Sequence, residues 1–418
     1  LLGFLAAYRE PRLLAVLFMG FASGLPLALT GATLTARFTD AHVALTAIGL
    51  TSLIQLSYNL KPFWAPALDR VPIPLLTSWL GQRRSWLVLL AMTLIPAIAG
   101  LGLADPIRQP VATVIWAILV AFLSASQDVV IDAYRVEILR PVQQGAGAAV
   151  TQYGYRFGML ASGAGALAAA SFWGWPAAYE IMAALMLAGV IIALLSPEPA
   201  LPAPEARRSL GASVAAPFRD LLLRRGWPLL FAFVLLYKLG DAMSGHMAMP
   251  FFLGLGFSKI DVATISKMLG MIAGIIGIGL GGIVVYRFGI FRALLFCGVL
   301  QMAANGLYVV QDLSGNNLLV LAATITLENL ATGMGGAAFV AYLSDLCSPG
   351  YAATQYALLS ALALLGRNLF ASVSGWLAVH LGWIGFFILA MGLGLPGLLL
   401  LVWMMRRSAL SPARDGVR

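Results

Sequence analysis

Twelve long apolar stretches, parted by short polar or Gly/Pro-rich segments, make up most of the chain. They fall at roughly 12–36, 45–67, 84–104, 111–137, 144–170, 177–195, 226–253, 261–287, 291–311, 316–345, 351–379 and 383–405. A helix needs about 20 apolar residues to cross the hydrocarbon core of a bilayer, and lipid offers no partner to an open backbone, so such stretches cross as helices. The pattern predicts an all-α membrane protein of 12 transmembrane helices. The longest connection, 196–225, opens with Pro197, Pro199, Pro202 and Pro204 and then carries Arg207, Arg208, Arg219, Arg224 and Arg225. Proline-rich sequence does not continue a helix, and basic sequence stays in the cytosol. The chain therefore divides into six helices over 1–195, a cytoplasmic linker over 196–225, and six helices over 226–418.

Composition agrees with this reading. Only 10% of the 418 residues are charged, and the mean hydropathy is +0.90. The net charge of +9 has an ordinary source, since basic residues gather in cytoplasmic loops. It is no sign of nucleic acid. With the N-terminus inside, eighteen of the 26 Lys and Arg residues lie on cytoplasmic segments, and Arg37, Arg108 and Lys259 lie opposite. Both termini are expected in the cytoplasm. Leu1 to Arg12 leads straight into a spanning stretch and does not read as a cleavable signal. Cys297 and Cys347 stand far apart, as do His42, His246 and His380, so neither a disulfide framework nor a metal site is expected. No cofactor and no catalytic residue are expected, and the chain is expected to be a monomer.

The two halves repeat. Ala149-Val150-Thr151-Gln152-Tyr153 in span 5 is echoed by Ala352-Ala353-Thr354-Gln355-Tyr356 in span 11, and Gly163 and Gly366 keep the same offset. Asp69-Arg70 with Gly81-Gln82-Arg83-Arg84 is echoed by Gly281-Gly282 with Arg287 to Arg292. Two GxGxxG runs, at Gly277 and Gly392, lie inside apolar spans and read as helix-packing surfaces, not as nucleotide loops.

Charges inside a bilayer are where function is sought first. Span 4 places Ser124, Gln127, Asp128, Asp132 and Arg135 on one face, since residues three or four apart align along a helix. A carboxylate facing lipid costs at least about 2.5 kcal/mol, so this stripe must face protein or water. It serves either as an ion-pair network closing the cytoplasmic end or as a proton site. Burial and a like-charged neighbour both favour a neutral carboxyl, so Asp128, with Asp132 second, is the candidate for proton coupling. Tyr58 and Lys61 in span 2, Gln152, Tyr155 and Arg156 in span 5, Tyr237, Lys238, Asp241 and His246 in span 7, Glu328 in span 10 and Arg367 in span 11 complete the intramembrane polar set. Bases (Lys61, Arg156, Lys238, Lys267, Arg367) exceed acids by one, which leans toward an anionic ligand. Tyr58, Tyr153, Tyr155 and Tyr237 are candidates for stacking on a sugar. Trp173, Trp175, Trp376 and Trp383 read as a membrane-interface belt. A membrane enzyme would concentrate its polar groups near one interface, whereas here they spread over many spans.

Parallel six-helix repeats define the major facilitator architecture, and the Asp69-Arg70…Gly81-Gln82-Arg83-Arg84 loop resembles that superfamily's signature between helices 2 and 3. Four stretches further resemble the AmpG-type muropeptide permeases of Gram-negative bacteria: GFASGLP from Gly20, KPFWAPALDR from Lys61, QDVVIDAY from Gln127 and YKLGD from Tyr237. Acetyl-CoA transporters share similar patterns. The resemblance implies proton-driven import of anhydro-muropeptides across the bacterial inner membrane for wall recycling, by alternating access. It also implies that Asp69, Arg70, Arg83 and Arg84 hold the cytoplasmic side shut, although these residues could simply anchor helix ends. A muropeptide carries several carboxylates, for which Arg156, Lys238 and Arg367 are plausible partners. Tyr58, Lys61, Gln127, Tyr155, Asp241 and Glu328 are expected beside them.

Overall fold

The computed structural model describes residues 10–43, 54, 56–200, 210–224, 226–348 and 350–410. The first part of span 2, the linker arginines Arg207, Arg208 and Arg225, and the side chains of Lys267 and Asn368 lie outside the described residues. The chain forms two compact units, one of Leu1–Leu222 with Leu343–Ala361 and one of Leu223–Tyr342 with Leu362–Arg418.

In the first unit the helices are α1 (Pro11–Thr30), α2 (Ala32–Asp40), α3 (Leu56–Leu60), α4 (Ala65–Arg70), α5 (Leu76–Leu80), α6 (Gln82–Leu103), α7 (Pro110–Ile138), α8 (Gln144–Leu160), α9 (Ala166–Leu185), α10 (Leu187–Leu195) and α11 (Leu210–Leu222). In the second are α12 (Trp227–Leu236), α13 (Leu239–Gly254), α14 (Lys259–Ile265), α15 (Met271–Phe288), α16 (Ile290–Ser314) and most of α17 (Leu318–Asp345). The last turn of α17 and the start of α18 (Ala352–Gly392) belong to the first unit, while the rest of α18 and α19 (Gly394–Leu410) belong to the second. Among the described residues, nine helical stretches are long and apolar enough to cross a membrane. The longest, Pro141–Leu195, breaks at Gly174 (φ 81°), where spans 5 and 6 were predicted to part.

The repeat is visible in the backbone. Gly81 (φ 86°, ψ 176°) opens α6 and Gly289 (φ 78°, ψ 166°) opens α16; Gly174 (φ 81°, ψ 168°) and Gly382 (φ 68°, ψ 171°) break the two long helical stretches at the same offset. Positive φ with extended ψ is reached readily by glycine alone. Gly163 and Gly366 are not equivalent in their packing: a Cβ would press Leu235 at Gly366 and would meet open space at Gly163.

Small residues bring helices together. Gly20 and Gly24 of α1 face the backbone of Thr151 and Tyr155 on α8, and Gly154 and Gly158 of α8 face Leu17 and Phe21. A Cβ at any of the four would overlap a backbone atom, so this seam fixes the Asp128-facing side of α1. Gly277 and Gly281 on α15 do the same against Leu330 and Met334 of α17, as the packing reading of the GxGxxG run requires. At the other end of the first unit, buried Arg37 donates to the carbonyls of Leu101 (2.6 Å), Gly102 (2.9 Å) and Ala104 (2.7 Å). It thereby caps the C-terminus of α6 with a cation. Trp173 and Trp376 are exposed, as belt residues are, but Trp383 packs against Phe251 and Phe387 inside the second unit's aromatic core. Trp383 directly follows the break at Gly382 (φ 68°), and its ring is only partly buried there.

Candidate functional site

The predicted polar residues gather in three clusters. The first lies in the middle of the first unit. Asp128 of α7 accepts a hydrogen bond from the Ser23 hydroxyl of α1, and its Oδ2 lies 3.6 Å from Lys61 Nζ. One turn on, Asp132 Oδ1 accepts from Arg135 Nη2 at 3.2 Å. The two carboxylates thus share a helix face, yet each carries its own cation. Tyr58 donates to Ser124 Oγ at 2.8 Å, and Trp64 Nε1 to Ser126 Oγ at 3.0 Å, which ties the span 2 segment to α7. Tyr155 lies within electrostatic reach of Asp128, Tyr58 and Asp132. Gln127 is buried, and its Oε1 accepts no hydrogen bond among the described residues. Arg156 differs from the rest. It is half-buried on α8 and makes no ion pair or hydrogen bond among the described residues.

The second cluster lies at the predicted cytoplasmic end of the first unit. Arg83 has no solvent exposure. Its Nη2 lies 2.7 Å from Asp69 Oδ1 and 2.7 Å from Glu137 Oε1, and its Nε donates to Glu137 Oε2 at 2.8 Å. Asp69 also accepts from the backbone N–H of Ala353 (3.3 Å) and Thr354 (2.9 Å) and from the Thr354 hydroxyl. These are unpaired donors of the first turn of α18, where a carboxylate is favoured by the helix dipole. Arg70 sits over the Tyr351 ring at 5.0 Å. Arg84 donates to the carbonyls of Ala193 (3.0 Å) and Leu194, at the C-terminus of α10. Arg135 reaches from the first cluster to Ser344 Oγ (2.6 Å) and the Tyr356 ring (5.0 Å). Outside the membrane, Glu198 accepts from the backbone N–H of Arg83 (2.8 Å) and Arg84 (3.0 Å), capping α6; burial pushes its carboxyl above the usual range, against the pull of those donors.

The third cluster lies in the second unit, where span 7 breaks between α12 and α13. Lys238 stands at the break, and Asp241 falls in the first turn of α13. Lys238 Nζ lies 3.3 Å from Asp241 Oδ2, and Gln301 Nε2 donates to the same oxygen at 3.4 Å. Thr332 contacts both Asp241 Oδ1 (2.9 Å) and Glu328 Oε1 (3.2 Å), and Asn329 Nδ2 donates to Glu328 Oε2 at 3.0 Å. Arg367 is exposed and makes no ion pair among the described residues. Tyr237 is no free platform. It is buried, donates to the Leu294 carbonyl at 2.8 Å and stacks on Phe339.

Several partners escape a reading of the sequence: Ser23, Thr332, Gln301, Glu137 and Glu198. Hydroxyl and amide residues are common inside membrane helices, and nothing in their spacing marks the ones that meet a carboxylate. Glu137 and Glu198 carried a signal, since a carboxylate beside a buried arginine at a helix end needs a reason to be there.

The Major Facilitator Superfamily profile matches residues 13–366. The anhydromuropeptide permease of Escherichia coli (strain K12) is 41% identical over 403 residues, which cover 96% of this chain and 81% of that protein. A Rickettsia conorii protein named AmpG 4 is 33% identical over 403 residues, 95% of this chain and 97% of the other. The crystal structure of the fucose:proton symporter FucP of E. coli matches in fold with a TM-score of 0.72 at 14% identity, over 95% of this chain and 99% of that one. The chain belongs to the Major Facilitator Superfamily: it is a multi-pass membrane transporter and not an enzyme. Within that superfamily it falls with the AmpG-type permeases.

Proposed function

We propose that this transporter imports anhydro-muropeptides, N-acetylglucosamine–anhydro-N-acetylmuramic acid units with or without peptide, from periplasm to cytosol across the bacterial inner membrane. Import is driven by protons and proceeds by alternating access of two six-helix bundles, 1–195 and 226–418, joined by the cytoplasmic linker 196–225. Both termini lie in the cytoplasm, and the chain acts as a monomer. What supports the substrate is the 41% identity, along nearly the whole chain, to a protein named for that activity. What supports an anionic cargo is Arg156, a half-buried guanidinium with no acid paired to it among the described residues. Holding such a charge in a membrane protein is costly unless a ligand or water compensates it.

We assign the roles as follows. Asp128, tied to Lys61 and Ser23, is the main coupling carboxylate, with Asp132 secondary. Arg156, Lys238 and Arg367 meet substrate carboxylates, with Tyr58, Lys61, Gln127, Tyr155, Asp241 and Glu328 around them. Asp69, Arg70, Arg83 and Arg84 gate the cytoplasmic side. The test is uptake into proteoliposomes of labelled anhydro-muropeptide, acetyl-CoA and free amino sugars, with and without an inward proton gradient. Gradient-dependent accumulation of the muropeptide alone is expected. Preferential accumulation of acetyl-CoA, or uptake indifferent to the gradient, would overturn the reading.

A further inference from the structure

The Thr332 hydroxyl stands between two carboxyl groups, 2.9 Å from Asp241 Oδ1 and 3.2 Å from Glu328 Oε1. A hydroxyl has one proton to donate. If both acids were ionised, one of them would face the Thr332 oxygen lone pairs with no hydrogen between. The contacts are satisfied together when Thr332 donates to Asp241, the nearer, and Glu328 donates its own proton to Thr332. The remaining bonds fit that assignment. Asp241 Oδ2 receives Lys238 and Gln301, as an ionised carboxylate would. Glu328 Oε2 receives the Asn329 amide, as the carbonyl oxygen of a neutral carboxyl would.

Charge leads to the same place independently. Among the described residues, the groups facing Glu328 are Asp241 and Lys238 from the break between α12 and α13 and the Tyr308 phenol from α16. With Glu328 neutral, the Lys238–Asp241–Glu328 set carries no net charge. With Glu328 ionised it carries one negative charge inside a membrane helix bundle, which is costly. A cavity of about 20 Å³, room for one water molecule, is lined by Asp241, Gln301 and Asn305, so a water has a place beside the Asp241 carboxylate.

We infer that Glu328 holds a proton and that Glu328, Thr332 and Asp241 form a second protonation site of the transporter, in the unit that does not contain Asp128. Its consequence for transport rests on the function proposed above. An anionic ligand that engages Lys238 withdraws the counter-charge of Asp241. Neutrality is then restored by one proton added to Asp241 from the cavity, its carboxylate becoming a carboxyl, while Glu328 keeps its own. Anion and proton thus enter this unit together.

Infrared difference spectroscopy of the purified, full-length transporter reads this without any substrate, so a wrong cargo assignment leaves the result untouched. At neutral pH the protein should show a protonated-carboxyl C=O band that Glu328→Gln removes and Asp128→Asn retains. Thr332→Val keeps the side chain's size but removes the acceptor, and should move that band to higher frequency. Lys238→Met removes the counter-charge of Asp241 and should add a second carboxyl band. A C=O band unaffected by Glu328→Gln, or no such band at all, would overturn the assignment of the proton. An unchanged band count in Lys238→Met would overturn the charge-balance step.

Discussion

Asp69 and Arg83 meet at 2.7 Å with both side chains fully shielded from solvent, and the same Asp69 carboxylate takes the first backbone N–H groups of α18. One side chain therefore holds both a buried guanidinium and a helix N-terminus. Removing one partner of a buried pair costs about 3–5 kcal/mol. Asp69→Asn should shift the transporter toward its inward-open state by weakening the tie to α18. Labelling of cysteines introduced along the cytoplasmic cavity should rise several-fold in the variant. Unchanged labelling would leave Asp69 a purely structural role.

Glu198 should give the cap of α6 a pH dependence. Burial raises its carboxyl above the ordinary value, the Arg83 and Arg84 donors opposing. A group with a raised folded-state pKa takes up its proton more readily when folded. Its stabilising contribution is full below the ordinary glutamate range and is lost as pH rises through the raised value. The stability of the native protein relative to Glu198→Gln should therefore be greater at acid than at neutral pH. Melting of both in detergent across that window checks it. The opposite trend would mean that the two N–H donors outweigh burial.

The architecture was legible because bilayer thickness fixes span length and hydropathy reports it directly. Repeats, basic-loop asymmetry and the helix face of Asp128 and Asp132 follow from one-dimensional spacing. What spacing cannot report is which neighbour closes each bond. Asp128 and Asp132 read as like-charged neighbours of which one loads and releases a proton, but Lys61 and Arg135 come from different places to partition them. Tyr237 read as an open platform because its neighbours in sequence are polar, yet its hydroxyl finds the Leu294 carbonyl, across helices. The Gly163–Gly366 match marked a repeat in sequence without an equivalent packing role, since only Gly366 has a side chain pressed against it.

For proton coupling, Asp128 accepts from the Ser23 hydroxyl of α1 and lies 3.6 Å from the Lys61 ammonium, so a change of charge on it is felt by both partners. Asp128→Asn should abolish gradient-driven accumulation while leaving substrate exchange partly intact. Asp132→Asn should be milder, since Arg135 keeps its ties to Ser344 and Tyr356. Counterflow and gradient-driven uptake, measured side by side in proteoliposomes, separate the two effects. Full accumulation by Asp128→Asn would remove it from the coupling role.

Arg156 carries the prediction about cargo charge. Two readings of this guanidinium compete. It either neutralises the acids of α7 or waits for a ligand. Asp128 and Asp132 already have Lys61 and Arg135 as partners, and Arg156 has none among the described residues, which favours the ligand. A guanidinium grips a carboxylate through two parallel hydrogen bonds, a geometry that an ammonium cannot copy. Arg156→Lys should therefore weaken uptake although charge is kept, by about 1–3 kcal/mol if a charged hydrogen bond is lost, and Arg156→Ala should weaken it further. A ligand series decides the cause. A muropeptide whose carboxyl groups are blocked gains nothing from Arg156, so Arg156→Ala should leave its residual transport nearly unchanged while impairing the native ligand. Equal impairment of both ligands would place Arg156 in the protein's own network instead.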